Sequence, residues 1–176
     1  QCLERYKELK HKNGSQVKLK DYPFPSIDDH QIPPGDFIEE GILAKDAAKI
    51  VMKCLYGARF VRFDLLWPIG DLARKISKWT KACDRRLDRL MGHLQAFLDK
   101  GLEGFVGDTP EHCSVLAYCD ASFADELATS KSTSGYYVAI VGPNTFMPIN
   151  PFAKKQVAVS HSTTESEMIS LEEGLR

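Results

Sequence analysis

Three acidic residues carry the chemistry this chain could perform. Asp120 closes the short apolar run Val115-Leu116-Ala117-Tyr118-Cys119, and Glu165 and Glu167 fall in the run Ser-Thr-Thr-Glu-Ser-Glu that begins at Ser162. A carboxylate ending a strand buried on both faces costs free energy unless something pairs with it. If a helix starting near Ser162 packs across that strand end, two carboxylates from distant sequence converge. Like charges so placed resist ionising together. A hard divalent cation relieves the conflict, and Mg²⁺ prefers oxygen ligands while retaining waters. Such an ion activates water and steadies the leaving oxygen in phosphodiester hydrolysis. Helical spacing alone does not choose between Glu165 and Glu167, which flank the apolar stripe Met168, Leu171 and Leu175 by similar angles.

Other constellations are weaker. His161 and Glu165 share a helix face, but no third zinc ligand accompanies them. His161 near serines suggests a hydrolase, yet no G-x-S-x-G elbow exists. Tyr136 and Tyr137 suit base stacking or a core strand equally. Neither a Walker-type G-x-x-x-x-G-K-[ST] nor a G-x-G-x-x-G loop occurs, nor a Tyr/Phe-x-Asp-Asp polymerase motif. The five cysteines (Cys2, Cys54, Cys83, Cys113, Cys119) never form C-x-x-C, so reduced thiols packed as small apolar groups are expected.

Charge is distributed unevenly. Residues 1–20 hold six Lys/Arg against Glu4 and Glu8. Residues 74–89 hold seven (Arg74, Lys75, Lys78, Lys81, Arg85, Arg86, Arg89) against Asp84 and Asp88. Residues 99–126 reverse the balance, with Lys100 alone against seven acids. A basic stretch beside an acidic one suits a protein that handles a polyanion and carries a metal site; solvated helix faces are the plainer reading.

The elements that must position these groups follow from periodicity. Residues 21–35 hold Pro23, Pro25, Pro33, Pro34 and Gly35, which reads as linker chemistry, and residues 1–44 are expected to be irregular. Residues 45–100 should be a helical connection. Its helices are expected over 46–55, stopping near Gly57, then from Asp64 with Pro68 tolerated in the first turn, then over 83–98 with Leu87, Leu90, Met91, Leu94 and Leu98 as the stripe. Residues 101–176 begin with a glycine-rich connection and change period. The run ending in Asp120 is one strand and residues 133–141 a second. A third follows the turn Gly142-Pro143-Asn144, with Pro148 and Pro151 confining it to a sheet edge. Ser162 to Glu165 fits a capping box, so a helix follows.

The 176 residues, 43% apolar and 27% charged, fit an ordinary globular chain. No run approaches the roughly 18 to 20 apolar residues that span a bilayer, and no secretory leader pattern is visible. Gln1 in place of Met suggests a piece of a longer protein.

Taken together, four ordered segments resemble the ribonuclease H domain of copia-type retrotransposon Pol polyproteins. They are Tyr118-Cys119-Asp120-Ala121-Ser122-Phe123-Ala124, Lys131-Ser132-Thr133-Ser134-Gly135-Tyr136, Lys154-Lys155-Gln156, and Ser160 through Glu167. Upstream, Leu55-Tyr56-Gly57-Ala58-Arg59 and Arg62-Phe63-Asp64-Leu65-Leu66 are similar to the segment joining reverse transcriptase to that domain. The resemblance implies an α/β fold in which a helical connection precedes a ribonuclease H-like mixed sheet, three antiparallel strands coming before the first helix. It implies a Mg²⁺- or Mn²⁺-dependent nuclease cutting the RNA strand of RNA–DNA hybrids during reverse transcription. Asp120 and Glu167 match the catalytic metal ligands, which leaves Glu165 as helix cap. It further implies nucleic acid and the rest of the Pol polyprotein as partners, an intracellular setting (cytoplasmic or nuclear), and no membrane. The family places further acidic ligands beyond the position of Arg176. Half an active site, inactive alone, is therefore expected, with one side of the sheet and the helix stripe uncovered. Asp125 is a loop residue near Asp120. The rival expectation is a nucleic-acid-binding relic without a metal site, its contacts made by the basic residues from Arg74 to Arg89.

Overall fold

The computed structural model describes residues 1–15, 18–125 and 129–175. The chain forms two compact units, Gln1–Lys100 and Gly101–Arg176. The fold is mixed α/β: helices make up the first unit, and an open antiparallel sheet with one helix makes up the second.

In the first unit, α1 (Cys2–Lys12), α2 (Ala47–Phe60), α3 (Leu66–Arg74) and α4 (Lys81–Ala96) enclose one apolar core. Ile50 and Val51 of α2, Ile69 and Leu72 of α3, and Leu87, Leu90 and Met91 of α4 are all almost fully buried. Pro68 is the third residue of α3, where a backbone N–H would have no intrahelical acceptor, so it is tolerated. Helix α2 runs through Gly57 to Phe60 because open space surrounds that glycine and nothing there forces a turn.

Residues 1–44 differ from the irregular linker that proline content predicts. Residues 2–12 are helical, burying Tyr6 and Leu9. The proline-rich stretch forms two short 3₁₀ turns, Asp29–Gln31 and Pro34–Phe37, strapped along α4. Arg86 pairs with Asp29 and Arg85 with Asp36, the Arg89 guanidinium lies 4.5 Å from the Tyr22 ring centroid, and His93 Nδ1 is 3.0 Å from the Tyr22 carbonyl oxygen. Gly92 lets the strap close on the helix: a Cβ there would meet the Lys20 carbonyl oxygen at 2.1 Å. Proline content makes such a segment irregular, but long-range partners hold it in place.

The second unit pairs β1 (Phe105–Val106), β2 (Ser114–Ser122), β3 (Thr133–Gly142) and β4 (Thr145–Lys155) in the order β1-β4-β3-β2, every pair antiparallel. The three antiparallel strands expected before the helix are present as β2, β3 and β4, and β1 is a further strand that periodicity missed because it is two residues long. β4 is interior only at Thr145 and Phe146, where β1 pairs with it. Pro148 and Pro151 lie past that pairing, on its free side. A bulge sits between their partners Ala139 and Tyr137, so proline does confine the strand locally to an edge.

Helix α5 (Thr163–Gly174) packs on β2 and β3. Its apolar stripe is uncovered, as expected, and the face buried on the sheet is polar. Met168, Leu171 and Leu175 are 67%, 50% and 74% exposed, whereas Ser166 and Ser170 are completely buried. Ser166, Ser170 and Gly174, four apart, let helix and sheet approach closely. The Ser170 hydroxyl donates to the Asp120 carbonyl at 2.7 Å, and a Cβ at Gly174 would lie 2.9 Å from Cys119 Sγ. Larger side chains would not fit this gap.

Candidate functional site

Asp120 sits two residues before the end of β2, which forms the sheet edge opposite β1, and its residue is exposed. Glu167, also exposed, lies in α5 three residues before Ser170. The bond from Ser170 to the Asp120 carbonyl therefore brings the helix directly over the strand end that carries the aspartate.

Side-chain directions decide how near the two acids come. Cys119 faces α5 through its contact with Gly174, and Lys154 of the same face pairs with Glu173 at 3.7 Å. Strand alternation then turns Asp120 to the opposite face, level with Gly135. Glu167 is about 60° around the helix from Ser170, on the shoulder of the buried face. The two carboxylates are not brought together under the helix, and the free edge of β2 lies between them. Among the described residues no group of three or more His, Cys, Asp or Glu side chains converges on a metal position.

The structure separates the two glutamates that spacing left equivalent. Ser162 Oγ accepts from the Glu165 N–H at 3.1 Å, and Glu165 Oε2 accepts from the His161 N–H at 2.7 Å. Glu165 is thus occupied in capping α5, whereas Glu167 takes no part in the cap. Asp125 is also occupied: it accepts from Thr133 Oγ1 at 2.8 Å and pairs with Lys155 at 2.9 Å. Glu126, at the end of the acidic stretch, lies outside the described residues.

A second group emerges that the sequence motifs contain but chemistry-first reasoning passed over. Gln156 is 1% exposed. Its Nε2 donates to Ser134 Oγ at 3.0 Å and to the Ser166 carbonyl at 2.9 Å, while Ser160 Oγ donates to its Oε1 at 2.7 Å. Each of these four residues falls in one of the motif segments, and together they bind β3, the connection after β4, and α5 into one buried polar junction. The available signal was the concentration of small polar residues around one glutamine.

The proposed nucleic-acid contacts fare differently. Arg74 and Lys75 both pair with Asp71, Lys81 with Glu39, Arg85 with Asp36 and Arg86 with Asp29, while Arg89 donates to the Phe24 carbonyl. Lys78 is exposed at the end of a 3₁₀ turn. Most of this basic run is therefore engaged in holding the first unit together, and phosphates would have to displace those acids. Overall, Gln1–Lys100 carries 19 Lys/Arg against 14 Asp/Glu, and Gly101–Arg176 carries 4 against 10.

The five cysteines are free. Cys2 of α1 departs from a packed apolar role. Hydrogen bonding with Cys54 of α2, aided by the nearby Lys53 charge and opposed by burial, lowers its thiol to about 6, while the same pairing and burial push Cys54 up. Because the thiolate is the nucleophile, iodoacetamide labelling of Cys2 should rise through pH 6 and level off by about pH 7.5. Cys54→Ala should move that midpoint toward the ordinary cysteine value of about 8.5. Peptide mapping of the labelled chain across pH reads both.

No protein-family model, curated protein or solved structure matches the chain. What its own geometry defines is an all-helical unit joined in sequence to an open antiparallel sheet, with a helix seated on small polar residues at the strand end that bears Asp120. Among the described residues, no helix is long and apolar enough to cross a membrane.

Proposed function

We propose that residues 101–176 form the first half of a ribonuclease H-type domain from a copia-like Pol polyprotein, working inside the cell on RNA–DNA hybrids. Asp120 and Glu167 would each contribute one carboxylate to a Mg²⁺ or Mn²⁺ position at the free edge of β2. The observation that carries this reading is the bond from Ser170 to the Asp120 carbonyl, which seats the helix bearing Glu167 on the strand end bearing the aspartate. Three long antiparallel strands followed by that helix fit the order the motif segments imply. An exposed acid on each side of a free strand edge leaves room for further ligands from a strand added there. The ion would polarise the phosphodiester and generate the attacking hydroxide. Two carboxylates alone hold such an ion weakly, so the 176-residue chain is not expected to turn over a hybrid.

Paramagnetic Mn²⁺ tests the half-site without requiring turnover. At substoichiometric Mn²⁺, amide signals of residues 119–122 and 166–168 should broaden first. Asp120→Asn should abolish that selectivity and Glu167→Gln should weaken it. Broadening elsewhere, or broadening that persists in Asp120→Asn, would sink the assignment.

A further inference from the structure

The outward face of α2 carries a feature that neither the core nor the proposed nuclease site uses. Met52, Tyr56 and Phe60, four apart, are 52%, 70% and 63% exposed, although the opposite face of the same helix (Ile50, Val51, Cys54, Ala58) is buried. The Tyr56 and Phe60 rings touch, with centroids 4.9 Å apart and planes at 50°. Lys53 and Arg59 flank them and are themselves exposed; Lys53 also acts on the exposed Glu4. Helix α2 contains three cations (Lys49, Lys53, Arg59) and no acid, and Lys49 is tied to Asp46. Exposed aromatic clusters of this kind mark binding surfaces, and the charge around this one selects an anionic partner.

We infer that this face binds single-stranded nucleic acid, with bases stacked on Tyr56 and Phe60 and phosphates held by Lys53 and Arg59. The two rings lean on each other, so bases stack on their outward, solvent-facing sides. A duplex offers no free base faces, so the ligand class is single-stranded. Stacking accepts any base, so sequence selectivity is low, and phosphate contacts make binding fall with salt. The basic run of α4 differs in having its charges spent on the strap, whereas the α2 face combines cations with unused aromatic surface. Nothing in this site depends on Asp120 or Glu167; failure of the Mn²⁺ experiment would leave it untouched.

Fluorescence anisotropy of a labelled twelve-nucleotide oligothymidylate with the full chain, at about 50 mM salt, tests the site. The double variant Tyr56→Ala/Phe60→Ala should weaken binding by at least about tenfold without lowering the melting temperature, because both side chains are exposed. Lys53→Ala/Arg59→Ala should weaken binding and flatten its salt dependence. Wild-type affinity in the aromatic variant overturns the inference. So does a concentration-dependent dimer, seen by sedimentation, that the aromatic variant dissolves, since the face would then be a contact between copies. Binding to anionic vesicles with none to the oligonucleotide overturns it as well.

Discussion

Asp84→Ala should unfold the helical unit at a temperature about 20 °C lower than the parent chain, a loss of roughly 4 kcal/mol. Asp84 lies in the first turn of α4 and is buried. Its carboxylate accepts from the Ile42 N–H at 2.5 Å, the Leu43 N–H at 3.3 Å and the Trp79 indole N–H at 2.8 Å. Alanine leaves two buried donors (Leu43 N–H and the Trp79 indole) and the part-buried Ile42 N–H facing a small cavity, each buried one costing about 1–3 kcal/mol if water does not replace the carboxylate. The surroundings cannot collapse around the gap. A Cβ at Gly41 would lie 2.6 Å from the Thr80 carbonyl and 2.8 Å from Asp84 Oδ2, so the chain is already at closest approach. Gly41 N–H also bonds the Trp79 carbonyl and Lys81 N–H the Glu39 carbonyl, which fixes both sides of the junction.

The readout is clean because both tryptophans, Trp67 and Trp79, belong to Gln1–Lys100. Trp79 is 4% exposed, so its emission should shift to the red when its indole loses Asp84 and meets water. Asp84→Asn keeps the volume but aims amide hydrogens at donors, and it should fall between parent and alanine. An alanine variant melting within about 3 °C of the parent would show that water satisfies the three donors. The junction would then contribute little.

The same helix shows where sequence patterning suffices and where it does not. Leu87, Leu90 and Met91 are buried as their spacing predicts, because an amphipathic stripe facing one core needs only local periodicity. Leu98 lies past the end of α4 and is exposed. Arg85, Arg86 and Arg89 looked available for phosphates because their acidic and aromatic partners lie more than forty positions upstream, in the proline-rich segment. Helix α5 differs again: its apolar stripe is exposed, as expected where nothing covers it, while the face against the sheet, which the stripe does not reveal, is filled by serines that bond to backbone carbonyls. Asp120 and Glu167 stand out by residue type and motif position. Their relative direction does not, since one position of strand register decides which face Asp120 presents.

That dependence on register makes Gln156 the residue on which the candidate site most depends. Gln156→Leu preserves side-chain volume but leaves the buried Ser134 Oγ and Ser160 Oγ without their partner and takes from the Ser166 carbonyl the bond it accepts beside its own helix's. Losing these three buried hydrogen bonds should cost the second unit about 3–5 kcal/mol. The loss should concentrate where Gln156 touches α5, at Ser166, one residue before Glu167. Amide exchange in α5 should therefore accelerate by at least about a hundredfold, given that each 1.4 kcal/mol is a factor of ten. Strand β3, held on both sides by long ladders, should retain more protection. Tryptophan emission should stay unchanged, since neither tryptophan lies in Gly101–Arg176. In the same variant the Mn²⁺ effect at residues 166–168 should disappear although both carboxylates remain, because α5 no longer holds Glu167 beside the β2 edge. If exchange in α5 matches the parent, the single Ser170 hydroxyl, donating to the Asp120 carbonyl with the Gly135 carbonyl close by, is enough to seat the helix. Ser170→Ala would then be the variant that releases it.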